Sequence, residues 1–261
     1  MAATGKGALA RAPQEKPDLD QGQPLHNPDR WMPPGLRGLV DYSNPRSLGS
    51  RLRRRRSVAL RSLIEAIHAE KGAVHILDIG GRRAYWASSL GERFLAATRT
   101  RVTLLNLAGE AEPIPAGDPL FRSTEGDALV LTRADMARYD IAHANSVIEH
   151  VGRWQDIEKF AALMRMAPAY YCQTPYFWFP IEPHTLTPFF HWLPESLRAK
   201  AFRSFNIPHY PRAQTMSWAM GNVESIKLLD RAQFSALFPD ARIAFEWLGL
   251  PKSLIAIRTP R

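Results

Sequence analysis

The stretch TPYFWFPIEPHTLTPFFHWLP at 174–194 holds three side chains of types that move protons or hold a substrate, Glu182, His184 and His191. An acid two residues from a histidine can fix the imidazole tautomer and raise its basicity, so Glu182 and His184 read as a base with its orienting partner. His191 is a further candidate for substrate contact. A second acid and histidine, Glu149 and His150, stand together in NSVIEHVG. There His150 is a candidate base or a structural hydrogen-bonding residue, and Glu149 can serve the start of the following helix. Tyr176, Phe177, Trp178, Phe179, Phe189, Phe190 and Trp192 offer rings to a sugar or aromatic acceptor, although core packing is the default for most of them.

No metal is expected from spacing, because no histidines recur at the intervals of two or four that mark common sites. The single cysteine, Cys172, excludes an internal disulfide or a multi-cysteine metal site and fits a reducing cytoplasm. No run of eighteen apolar residues occurs and the first residues lack a signal-like apolar core, so neither a spanning segment nor export is expected.

The elements that must position these groups follow from pattern. VHILDI at 74–79 is a short apolar strand, and Asp78, Gly80 and Gly81 at its end permit a close turn against a ligand. A helix is expected around 84–94, strands at 101–107 and 139–144, a helix at 154–166 and a strand at 170–173. A strand at 223–229, a helix at 230–237 capped by Asp230, and an antiparallel pair at 241–247 and 253–257 complete the reading. Residues 175–218 form an aromatic-rich insertion, too irregular for one helix and too apolar for a disordered loop. The expected class is α/β, a Rossmann-like doubly wound, mostly parallel sheet with an antiparallel C-terminal strand.

The front of the chain differs in composition. Residues 1–60 hold eleven Lys or Arg against five Asp or Glu, whereas 61–261 hold twenty-three against twenty. Residues 1–30 read as a disordered tail and 31–50 as an irregular arm, suited to covering a substrate or to a dimer contact. The domain proper is expected to span 51–261. RLRRRRSVALR at 51–61 reads as the water-facing basic start of a helix running to Lys71. Such a start is usually a solvated face; nucleic acid or an anionic membrane surface is the alternative partner.

Taken together, ILDIGG at 76–81, TLLNL at 103–107, GDA at 126–128, YDIAHANSVIEHVG at 139–152 and the closing ARIAFEWLGLPKSLIAIR resemble a class I S-adenosylmethionine-dependent methyltransferase. The resemblance covers about residues 55–261, and the insertion is similar to that of a bacterial small-molecule or glycan-biosynthesis subgroup. It implies S-adenosyl-L-methionine as cofactor and a small-molecule or glycan-precursor acceptor, methylated on oxygen. It also implies that Asp78 positions the amino-acid end of the cofactor or the turn, and that Gly80 and Gly81 admit the cofactor at close range. Asn106 would meet the ribose where the family usually has an acid. Asp127 and Ala128 would meet the adenine, and Asn145 would face the crevice near the sulfonium. The rival readings are a nicotinamide-dependent oxidoreductase, a nucleic-acid methyltransferase using the arginines, and a non-catalytic nucleotide-fold scaffold. The first lacks its G-x-G-x-x-G turn here, which reads GGRRAYW.

Overall fold

The computed structural model describes residues 56–260. The expectations for residues 1–30 and 31–50 and for the arginines at 51–55 therefore lie outside the described residues. The chain runs α1 (Val58–Lys71), β1 (Val74–Ile79), α2 (Arg83–Ser89), α3 (Glu92–Ala97), β2 (Thr100–Asn106), β3 (Phe121–Glu125), α4 (Arg133–Met136) and β4 (Ile141–Asn145). It continues through α5 (Trp154–Met164), β5 (Ala169–Pro175), β6 (Ile181–Glu182), β7 (Thr187–Pro188), α6 (Glu195–Ser204), α7 (Met216–Glu224), α8 (Arg231–Leu237), β8 (Arg242–Leu248) and β9 (Leu250–Arg258).

Seven strands form one sheet in the order β3-β2-β1-β4-β5-β9-β8, and β6 and β7 pair separately. The first five strands are mutually parallel, while β9 lies antiparallel to both β5 and β8. This is the expected Rossmann-like sheet with its antiparallel C-terminal strand. Successive side chains of a strand point to opposite faces, and both faces are covered, which is why the central strands are mostly apolar. On one face Leu60, Leu63, Ile64 and Ile67 of α1 pack over Val74, Ile76, Val102 and Ile255. Each such side chain contributes about 1.5–3 kcal/mol by leaving water. On the other face Ile157 and Phe160 of α5 and Phe234 of α8 cover Leu77, Ile79, Ala142 and Leu254. The insertion has a small core of its own, formed by Phe190, Ala199, Phe202, Ala213, Ala219 and Val223.

Four expectations are corrected. The helix expected around 84–94 is two, α2 and α3, because Gly91 between them takes φ +82°. Before Asp127, where no strand is expected, the chain forms β3, whose edge position leaves only Phe121 buried, so no apolar run announces it. Residues 223–229 are not a strand: α7 extends to Glu224, and only Leu229 makes a lone bridge, to Tyr176. Finally, Arg56 does not face water. Its guanidinium pairs with the buried Glu246 of β8 at 3.2 Å.

The turn after β1 supplies a test of how closely the backbone is packed. A Cβ built on Gly81 falls 1.8 Å from Asp78 Oδ2, whereas one on Gly72, at the end of α1, meets nothing within 4 Å. Gly72→Ala should therefore cost only the left-handed backbone penalty, about 1–2 kcal/mol. Gly81→Ala must displace a buried carboxylate and should cost about 3 kcal/mol or more. Urea unfolding of the two variants checks the ranking.

Candidate functional site

Asp78, the last residue but one of β1, lies beneath the glycine turn and is 1% exposed. Trp86 Nε1 of α2 donates to its Oδ2 at 2.6 Å, and His143 Nδ1 of β4 is hydrogen-bonded to its Oδ1 at 2.6 Å. The register explains the meeting: Asp78 lies beside His143 across β1 and β4, and His143 lies beside Tyr171 across β4 and β5. The three therefore form a polar row on the face covered by α1 and α2. Tyr85 Oη stands 3.3 Å from His143 Nε2, and the Tyr171 ring stacks on the imidazole at 5.4 Å. Burial pushes the Tyr171 phenol well above its ordinary pKa. Both oxygens of Asp78 are thus engaged inside the protein, so its effect on any ligand passes through the turn. Tyr85 and Trp86 pack inward over this acid.

The other candidates at this edge fall at the carboxyl ends of adjacent strands. Gly80 takes φ +67° and hydrogen-bonds Leu105 O through its N–H at 2.8 Å. Asn106, at the end of β2, donates from Nδ2 to Gly81 O at 3.1 Å, so its amide holds the glycine turn from the neighbouring strand. Asp127 caps a short 3-10 turn at 128–130 by accepting from Leu129 N–H at 2.8 Å, and its side chain is exposed; Ala128 is buried beneath it. Asn145 ends β4 and buries its Oδ1 with no hydrogen-bond partner among the described residues. An orphaned buried acceptor costs about 1–3 kcal/mol, which a donor supplied by a ligand would offset.

The proton-moving side chains come together. β4 leads into a 3-10 turn at 148–150, and the β6–β7 hairpin of the insertion brings Glu182 and His184 onto it. His184 Nε2 stands 3.1 Å from His150 Nε2, the two rings meeting edge to face at 4.8 Å. His184 Nδ1 bonds Glu182 Oε1 at 2.7 Å, and Thr185 N–H donates to Glu182 Oε2. Burial alone would raise the Glu182 pKa, but the hydrogen bond and charge of His184, together with the Thr185 N–H, outweigh it and lower the value. His150 Nδ1 lies 3.0 Å from Ser225 O. A carbonyl only accepts, so His150 carries its hydrogen on Nδ1, and the ionised Glu182 likewise keeps the hydrogen of His184 on Nδ1. Both Nε2 lone pairs then face each other across 3.1 Å. Burial foremost, and His184 second, lower the His150 pKa although part of the ring reaches solvent.

Glu149 lies directly behind this pair, 1% exposed. Thr174 Oγ1 donates to its Oε2 at 2.9 Å, while its Oε1 is buried without a partner among the described residues. Burial pushes its carboxyl up to about 7. Neither the burial of Glu149 behind the pair nor the Asp78–His143–Tyr171 row is apparent from local spacing. The signal for the row is a histidine between alanines in a short apolar strand; for Glu149 it is an acid beside Ile148 in the turn that follows that strand.

His191 does not join the cluster. Its Nε2 donates to Phe177 O at 2.7 Å, which Trp192 Nε1 also reaches at 2.9 Å, so both residues pin the loop after β5. Phe190 belongs to the insertion core, whereas Trp178, Phe189 and Trp192 are exposed and adjoin one another, at 5.9 Å and 5.0 Å between ring centroids. Three rings of the stretch are therefore free to stack on an acceptor.

No family model matches the chain, and no curated protein matches it at the level of sequence. Among solved structures, it is similar to an O-methyltransferase family protein from Burkholderia thailandensis at 14% identity and TM-score 0.43, covering 79% of this chain and 57% of that one. It is similar to LepI in complex with S-adenosylmethionine at 9% identity and TM-score 0.48, covering 77% and 46%. It is also similar to a Rhodobacter sphaeroides protein described as a zinc-dependent alcohol dehydrogenase, at 10% identity and TM-score 0.41, covering 72% and 85%. The chain thus spans about half the length of the first two. At these scores none of the three bears on its chemistry.

The titration of Glu149 gives a stability prediction whose sign follows from its raised value. Between its ordinary 4.5 and about 7 the folded chain holds a proton that the unfolded chain has lost, so this site's contribution falls as pH rises and stays lost above 7. Glu149→Gln keeps an acceptor for Thr174 and removes the ionisation. In chelator-containing buffer the variant should gain roughly 1–3 kcal/mol over the parent between pH 5 and pH 8, read by urea unfolding at each pH.

Proposed function

We propose that the chain transfers a methyl group from S-adenosyl-L-methionine to an oxygen of a small molecule, such as a sugar or glycan precursor. The observation that carries this reading is the strand order. An antiparallel β9 lies between β5 and β8 at the end of a parallel β3-β2-β1-β4-β5 run. That is the plan of class I methyltransferases, whereas the dinucleotide fold of nicotinamide enzymes continues with a parallel sixth strand. A ligand of such a sheet sits at the carboxyl ends of the strands near the point where strand order reverses. In this chain that edge holds Gly80, Gly81, Asn106 and Asn145.

The residues fit the cofactor. The glycines leave the turn without side chains, and Asn145 Oδ1 is a buried acceptor in need of a donor, as the cofactor's ammonium would be. Asn106 and the exposed carboxylate of Asp127 would meet ribose and adenine, and Ala128 would offer its backbone N–H to the ring. Asp78 would act through the turn that it supports.

When bound, the sulfonium supplies an electrophilic methyl: the acceptor oxygen forms a bond to that carbon as the carbon–sulfur bond breaks, the electron pair goes to sulfur, and the hydroxyl proton is left to be removed. Glu182 orients His184, and the inward-facing Nε2 atoms of His184 and His150 take up that proton between them. The exposed rings of Trp178, Phe189 and Trp192 offer stacking faces to a sugar or aromatic acceptor. Catalysis here consists of alignment and water exclusion with modest base assistance.

Calorimetric titration with S-adenosylhomocysteine, run beside NAD and NADH, tests the reading. We expect one-to-one binding of S-adenosylhomocysteine, weakened at least about tenfold by Asp127→Ala through loss of a charge-assisted hydrogen bond, and little changed by His184→Ala. Folded protein that binds the nicotinamide compounds instead, or neither class, overturns it.

A further inference from the structure

We propose that Glu149, His150 and His184 form a binding site for a divalent transition-metal ion of the zinc type. Their ligand atoms all lie within 4.8 Å of one another. Two nitrogens on one tetrahedral zinc, at bonds of about 2.0–2.1 Å, stand about 3.3 Å apart; here the two Nε2 atoms stand 3.1 Å apart. The hydrogen bookkeeping sharpens the point. Ser225 O and Glu182 each occupy the Nδ1 hydrogen of one imidazole, so the two rings present lone pairs to a single spot. Two lone pairs at that distance repel unless a positive charge lies between them. A metal ion answers this for both at once, and a single proton answers it for one donor and one acceptor.

The independent observation is Glu149. Its Oε1 is fully buried with no partner among the described residues, and Thr174 holds its other oxygen. A carboxylate oxygen left bare beside two converging imidazoles completes a set of two nitrogens and one oxygen, which leaves a position open on an ion that prefers four ligands. The surroundings are also those of a metal site. Ligating histidines donate their remaining N–H to a carboxylate or a backbone carbonyl, and here Glu182 and Ser225 O supply one of each. His150, exposed on its outer side, leaves the open position toward solvent, where an acceptor hydroxyl or water could ligate. The oxygen-poor donor set disfavours magnesium and calcium.

The site stands without the methyl-transfer reading. If both hold, the histidines act as ligands in the metal-loaded protein, and the proton of an acceptor hydroxyl ligated at the open position, made more acidic by the ion, passes to bulk water.

The test uses the untagged full chain stripped with chelator. Zinc is titrated by calorimetry, cobalt(II) is followed by its visible absorption, and magnesium serves as the control ion. We expect one zinc per chain, cobalt absorption bands displaced by zinc, and no magnesium uptake. Glu149→Gln, which should fold at least as well as the parent, and His184→Ala should each weaken zinc at least about tenfold. Glu182→Gln, a positioning change, should weaken it about 10- to 100-fold. Folded parent protein that takes up no stoichiometric zinc, or uptake untouched by both ligand substitutions, overturns the proposal. Because S-adenosylhomocysteine binding is measured separately, loss of one result with survival of the other identifies which reading failed.

Discussion

The buried carboxylate of Asp78 is the constraint around which the carboxyl-end edge of the sheet is built. It cannot stay buried without partners, because an uncompensated ionised group in an apolar interior costs several kcal/mol. Trp86 and His143 supply them from two different elements, so satisfying the acid fixes α2 against β1 and β1 against β4 at the point where the chain must turn. Gly81 passes so close to the same carboxylate that a methyl group has no room, and Asn106 ties the carbonyl of that glycine to the next strand. A turn fixed from three sides presents its amides in one arrangement. That preorganisation is what a ligand at the strand ends needs, and it is paid for below the surface rather than at it.

The second centre is organised differently. Glu149 and His150 leave the sheet on a rigid 3-10 turn, whereas Glu182 and His184 arrive on a two-strand hairpin whose stability rests on the insertion core around Phe190 and Phe202. Glu182 joins the two parts: it orients His184 with one oxygen and holds the Thr185 amide with the other. The hairpin is too short to define a geometry alone, so the acid takes over the role that longer pairing plays elsewhere.

What could be read from the sequence followed the periodicity. β1, β2, β4 and β5 are apolar runs buried on both faces, and Asp230 with Gln233 forms the capping box that marks the start of α8. Glu182 and His184 were legible as a pair because their chemistry is local. β3 was not, since an edge strand buries little and FRSTE carries no apolar alternation. Residues 223–229 looked extended because Val223, Ile226, Leu228 and Leu229 are apolar, yet Val223 spends its burial on the insertion core and Leu229 on the main one. The meeting of His150 with His184 lay beyond spacing arguments altogether, as did that of Asp78 with His143, because each joins segments tens of residues apart through sheet register or hairpin placement.

The two centres share a logic that separates them from ordinary buried polar groups. In the Asp78 row each oxygen of the acid is met by a partner from the chain, and the result is rigidity. Around Glu149 the accounting is left open by one carboxylate oxygen and by two imidazole lone pairs that face each other. Folding tolerates such a deficit only where the main core is strong enough to bear it, and here the turn is fastened to that core by Ile148 and by the Lys227 amide bonded to Glu149 O. A deficit of positive charge, held rigidly beside the crevice and open to solvent on one side, is a demand for a proton or a metal ion. A positive charge supplied there would offset the deficit and so add to the stability of the fold.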